Sequence, residues 1–334
     1  MYKIVIIDTI CNKSYDSLVY GAEALGGSEA TALRVAKMLS NTHAVALEQH
    51  NREAIREESH TLRFTPLKTE QNADIVILMR VMDYYKEAKE RFPRAKFVLW
   101  MHDWATDRSF PNPEEAKDLY KLCVSETHKN QVLDYFKYKY NYPERLFDYK
   151  IRYIHNLLES NLPEIVPYNK HKLCFISSPH KGYMKTMRIF EMLREINPNF
   201  QLYVANPGYY PNGSSDVPGV VDLGQRPHAS LMENIKDSLC LFYPNDIFPE
   251  TFGLVAAEAN AMGIPVMTYR LGALPEVISV NPNQYIKSDA LDQDIINKII
   301  YWSEGNRPFV RKNGLLSETK IKRNWERFIM EVMQ

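Results

Sequence analysis

The chain has 334 residues, of which 45% are apolar and 25% charged, and its 41 basic residues balance 41 acidic ones. That length suits two domains, and the ordinary composition excludes a disordered or fibrous chain. Zero formal charge provides no global field for DNA, RNA or an anionic membrane, so nucleic acid is not an expected partner.

KIVIID (3–8) opens the chain as a short buried strand with no cleavable apolar leader before it. No later run approaches the roughly 18 apolar residues of a membrane span. Cys11, Cys123, Cys174 and Cys240 are far apart and form no CxxC. They read as reduced thiols, so a cytoplasmic location is expected. Next comes EALGGSEATALRVAKML (23–39). Gly26 and Gly27 end a loop and Ser28 caps a helix over 28–40, an arrangement that lets backbone approach a phosphate or sugar, or simply turns the chain. No G-x-G-x-x-G occurs, which argues against NAD.

Strands are predicted at 43–48, 73–79, 96–101, 121–125 and 151–155, mostly as continuous apolar runs of the kind buried on both faces of a parallel sheet. VLWMHDWATD (98–107) sets His102 and Asp103 at a strand's carboxyl end, where open α/β sheets bind ligands. A lone histidine there also fits a structural role. The aromatic and basic run DYFKYKYNYPERLFDYKIRY (134–153) covers a core edge or docks an acceptor or a membrane; the first reading is preferred. ESNLPEIVPYNKHK (159–172) has two prolines and no period. It is taken as a linker between domains 1–165 and 166–318.

The strand–helix alternation restarts at Lys172, with strands at 172–177, 201–205, 220–224, 239–244 and 264–269 and helices at 185–196 and 229–238. This is the pattern of a doubly wound α/β fold. CFISSPHKGYMKTM (174–187) places Ser178, Lys181 and Gly182 after a strand and before a helix. An ammonium there offsets diphosphate charge, and Gly182 opens the backbone. VANPGYYP (204–211) is a plain turn by its prolines, or resembles a loop that in a known family borders the nucleotide base. PNDIFPETFGLVAAEANAMGIPVMTY (244–269) separates Glu250 from Glu258 by seven residues. The helix is predicted from Thr251 to Gly263, and eight helical steps advance about 12 Å. Amides near Phe252, Gly253 and Leu254 would form an anion-binding helix tip between the two carboxylates. Taken alone, the pair fits a helix-start acid and a solvated side chain better than a site. YRLGALPEVI (269–278) supplies Gly272 and Glu276. D-x-D at Asp292 and Asp294 fits a helix's first turn rather than a metal site. ETKIKRNWERFIMEVM (318–333) is an amphipathic terminal helix.

The E-x7-E inside PETFGLVAAEANAMGIPV closely resembles the donor-site motif of glycosyltransferase family 4 (group 1), retaining enzymes of GT-B fold. The resemblance implies two Rossmann-like domains facing each other across a cleft, with the terminal helix 319–334 packed back on the first. It implies transfer of a hexosyl unit from a nucleotide diphosphate sugar (UDP- or GDP-sugar) to an acceptor hydroxyl with retention, with no metal or organic cofactor. The acceptor would be a glycan or a lipid- or protein-linked group. By the same resemblance Glu250 contacts the transferred sugar and Glu258 the ribose, with His102 and Asp103 near the sugar's hydroxyls. Gly27, Ser178, Lys181, Gly182, Phe252, Gly253, Leu254 and Gly272 fall in donor-binding segments. Ser177 and Ser178 stand where the family often has an arginine, so the serines, Lys185 or Arg188 would take its place. Alternatives are a sugar-nucleotide epimerase or a phosphorylase of the same fold, a DNA-modifying glucosyltransferase, and a non-catalytic sugar-nucleotide-binding protein.

Overall fold

The apolar runs form two sheets, one in each of two units. The computed structural model describes residues 1–110, 115–140, 150–205 and 217–334. The first unit comprises Met1–Asp16, Ser28–Leu157 and Glu318–Gln334, and the second comprises Ser17–Gly27 and Leu158–Ser317.

The chain enters the first unit as β1 (Lys3–Asp8), leaves it for α1 (Ser17–Ala22), and returns along α2 (Gly27–Ser40). Then follow β2 (Ala44–Gln49), β3 (Arg56–Ser59), β4 (Leu62–Pro66), β5 (Ile75–Met79), α3 (Tyr85–Arg91) and β6 (Lys96–Trp100). β7 (Tyr120–Cys123), α4 (Glu126–Tyr140) and β8 (Ile151–Tyr153) complete this run. The sheet order is β3-β4-β2-β1-β5-β6-β7-β8, parallel except for β3, which pairs antiparallel with β4. β3 and β4 are absent from the sequence reading. REES is a polar edge strand and LRFTP ends on proline, so neither shows the apolar run of a buried parallel strand.

The second unit holds β9 (Asn169–Phe175), α5 (Tyr183–Ile196), β10 (Gln201–Val204), β11 (Val220–Asp222), α6 (His228–Ile235) and β12 (Ser238–Tyr243). α7 (Leu254–Ala261), β13 (Val266–Thr268), α8 (Leu274–Val277) and α9 (Asp292–Tyr301) follow. Its sheet, all parallel, runs β11-β10-β9-β12-β13. Strand order reverses between β9 and β12, and the loops leaving their carboxyl ends therefore part to opposite faces. Ligands of such sheets bind in the crevice this opens.

α10 (Glu318–Met333) belongs to the first unit. Its buried stripe is Ile321, Trp325, Phe328, Ile329 and Val332. Trp325 meets Trp100 edge-on at 5.0 Å, Phe328 meets Tyr120 at 5.7 Å, and Arg152 pairs with Glu331 at 2.7 Å. α1 and the glycine loop were expected in the first domain but group with the second unit. Tyr20 of α1 donates its hydroxyl to Glu159 at 2.7 Å and stacks on His228 of α6.

Candidate functional site

Glu250 is placed by the loop leaving β12. Asn245 is fully buried and closes that loop: its Nδ2 donates to the Phe248 carbonyl at 2.6 Å, and its Oδ1 accepts from the amides of Ile247 and Phe248. The chain then returns as a one-residue parallel bridge between Glu250 and Gly272, with the Ala273 amide donating to the Glu250 carbonyl at 2.8 Å. Gly272 has φ +60, and a Cβ there would lie 2.3 Å from the Glu250 carbonyl oxygen. Absence of a side chain at Gly272 is thus what lets Glu250 sit where it does.

The helix begins three residues later than its composition predicts. α7 starts at Leu254, behind Gly253 in the left-handed region at φ +87. Glu250 is held extended by its bridge, so only Glu258 of the pair is helical. The first-turn amides of α7 still lack intrahelical acceptors and point back toward the loop that carries Glu250. Phe252 is 2% exposed, so its ring belongs to the core.

Lys181 reaches Glu250 from the loop between β9 and α5. Its Nζ lies 2.9 Å from both carboxylate oxygens and 5.2 Å from the Phe248 ring centre. Gly182 caps α5 at φ +92, and a Cβ there would come within 3.1 Å of the Asn245 Cα. The two loops therefore touch at backbone level. The Tyr243 hydroxyl donates to Glu250 Oε1 at 2.6 Å, and burial followed by the Glu250 charge holds that phenol well above its usual range. It remains a donor at every physiological pH. Ser177 hydrogen-bonds Tyr243, and the Ser178 carbonyl accepts from the Lys181 amide at 3.0 Å.

Lys185 and Arg188 have other partners nearby. Lys185 binds Asp246 and the Tyr269 hydroxyl. Burial opposes its charge, but those bonds outweigh it and raise its pKa. Arg188 makes a two-pronged contact with Asp292 at 2.8 and 3.1 Å, while Asp294 accepts from the Leu291 amide. The D-x-D is thus engaged at the start of α9. Among the described residues, no group of three or more His, Cys, Asp or Glu could hold a metal ion.

Glu258 is 1% exposed and its Oε2 lies 2.9 Å from Nε2 of His228. Gly27 comes near the same helix: a Cβ on it would meet Leu254 at 3.8 Å.

His102 and Asp103 follow β6 in the first unit. His102 is buried against Trp100 with ring centres 4.7 Å apart. Burial, then the charges of Arg80 and His128, hold it well below the usual imidazole range. It is neutral. Asp103 is exposed, and its carbonyl accepts from His128 Nε2 at 2.9 Å. Burial lowers His128 to about 4, partly offset by that bond.

Tyr243, Asn245, His228 and His128 escape the sequence reading. Tyr243 passes as one more apolar strand residue and Asn245 as a turn former. His228 lacks any partner in its own segment. Ser125, three residues before His128, is the available signal: its hydroxyl accepts from the His128 amide at 3.0 Å, as a helix cap does. Of the aromatic run at 134–153, Tyr135, Phe136 and Tyr140 pack together, and the first two also pack on Phe110. Its stretch 141–149, like 206–211 of the VANPGYYP loop, lies outside the described residues. No helix among those residues is long and apolar enough to cross a membrane.

Known structures share this architecture. Sucrose-phosphate synthase (tll1590) from Thermosynechococcus elongatus superposes with TM-score 0.69 at 15% identity, covering 99% of each chain. Anabaena Alr3699/HepE, solved in complex with UDP and glucose, gives 0.66 at 13% over 99% of this chain and all of that one. AviGT4, a glycosyltransferase involved in avilamycin A biosynthesis, gives 0.61 at 12%, covering 100% and 98%. The chain spans only 57% of the matched chain of the GtfA/B complex, at TM-score 0.55. At these identities the likeness is one of fold: two Rossmann-like sheets in the GT-B architecture. No curated protein matches in sequence. The family model described as "Glycosyl transferases group 1" matches residues 218–314, the segment that holds Glu250, Glu258, His228 and Gly272.

Proposed function

We propose that this chain is a glycosyltransferase that moves a hexosyl unit from a nucleotide diphosphate sugar to an acceptor hydroxyl, with retention and without a metal. One observation carries the reading. Within and beside the segment matching the group 1 model, Lys181 and Tyr243 converge on Glu250 beside the amino end of α7. A cation and a helix tip together suit a diphosphate. A carboxylate oriented by a permanent phenol donor suits sugar hydroxyls, because it accepts strongly and in a fixed direction.

In this reading the diphosphate draws on the Lys181 ammonium, and Glu250, still held by Tyr243, turns its acceptor capacity to the sugar. The bond between the anomeric carbon and the diphosphate oxygen breaks, the acceptor oxygen bonds to that carbon on the same face, and the acceptor's hydroxyl proton passes to the departing diphosphate oxygen. Negative charge grows on the leaving diphosphate, where Lys181 and the first-turn amides stabilise it without reorganising. Glu258 receives the ribose.

The test is sugar transfer from labelled UDP- and GDP-sugars by wild type and Glu250→Ala, with circular dichroism as the folding control. Loss of about a hundredfold or more in turnover with the fold intact is expected. Turnover like wild type in the variant would remove the assignment.

A further inference from the structure

Glu258 is an almost fully buried carboxylate, and a buried charge requires donors. The fold supplies one from a different element, Nε2 of His228, 2.9 Å from Oε2. A carboxylate only accepts, so Nε2 carries the hydrogen. His228 is the first residue of α6, so its backbone is fixed and only its two side-chain torsions remain to be set. Tyr20 sets them: its ring stacks on the imidazole at 5.8 Å with planes 25° apart, and its hydroxyl is anchored on Glu159 at 2.7 Å. Three segments distant in sequence thus form a relay, Glu159 to Tyr20 to His228, that ends on the Glu258 carboxylate. The His228 side chain is 16% exposed against 2% for Glu258.

We propose that His228 is a positioning residue for ribose recognition, holding the Glu258 carboxylate for the vicinal hydroxyls of a nucleoside diphosphate, with Tyr20 fixing the imidazole. The proposal rests on the reading of Glu258 as the ribose ligand. A bond that merely satisfied a buried acid would affect folding and every ligand alike. A positioning bond acts on the ribose hydroxyls and spares the diphosphate, which is bound at the other end of the site.

Calorimetry separates these possibilities with UDP, GDP and ADP and the 2′-deoxy form of whichever binds tightest, using wild type, His228→Ala, His228→Gln and Glu258→Gln. Wild type is expected to prefer the ribonucleotide by about tenfold, the worth of one hydrogen bond to a charged group. His228→Ala should lose most of that preference through weaker ribonucleotide binding, leaving the deoxy form within about twofold of its wild-type affinity. His228→Gln, which keeps a donor, should recover part of the preference, and Glu258→Gln should lack it. An unchanged preference in His228→Ala, or an equal loss for both forms, would overturn the positioning role. Failure of wild type to bind any of the three nucleotides would instead overturn the underlying donor-site reading, and this proposal with it.

Discussion

Gly272 and Glu250 occupy their places by mutual exclusion of volume. A methyl on Gly272 would press into the Glu250 backbone at 2.3 Å, from a residue at φ +60. Gly272→Ala should therefore cost about 1–3 kcal/mol in denaturant unfolding and displace Glu250, cutting transfer more steeply than stability. Unaltered stability would show that the loop yields cheaply. Lys181 carries the only ammonium that an observed contact sets on Glu250 among the described residues. Lys181→Ala should weaken nucleoside diphosphate binding by about tenfold or more, as titration would read, because it removes a charge-assisted contact to the anion. Equal affinities would place the diphosphate elsewhere.

At the scale of elements, α4 carries a pH dependence. His128 is fully buried with its imidazole lowered to about 4, by burial first. Its unfolded counterpart titrates near 6.5, so the unfolded chain binds the extra proton between those values. Its contribution to stability is complete above pH 6.5 and is lost as pH falls toward 4. The loss amounts to about 3 kcal/mol at 1.36 kcal/mol per unit. His102, also lowered by burial, adds in the same direction. Urea unfolding of His128→Gln should show a shallower decline from pH 6.5 to 4 than wild type, and an identical slope would exclude His128 as the source. The elements were legible where apolar runs or helical periods mark them, as in β1, β5, β12 and α10. They were not legible in β3 and β4, whose pairing depends on a neighbour rather than on their own composition. The α7 start was misplaced because Thr251 and Phe252 favour no break, and the break comes from Gly253 and from a bridge to a residue 22 positions away from Glu250.

Across the whole molecule, each unit is completed by distant chain. α10 returns from the carboxyl end to bury Trp325 against Trp100, and Ser17–Gly27 joins the second unit. Trp325→Ala should destabilise the first unit by about 3–5 kcal/mol, and a thermal midpoint within a degree of wild type would show that α10 is dispensable to it. The candidate site shows the same division of legibility. Glu250, Glu258 and Lys181 stand out because their spacing resembles a known motif, whereas Tyr243, Asn245 and His228 act only through partners that folding brings to them. The claim on which the account depends is that a nucleotide diphosphate lies at the amino end of α7. Diffraction from crystals grown with UDP, GDP or ADP addresses it most directly. The account predicts the diphosphate between Lys181 and the α7 amides, with ribose at Glu258 and His228. A nucleotide bound elsewhere on the second unit, with the Lys181–Glu250 pair untouched, would contradict it.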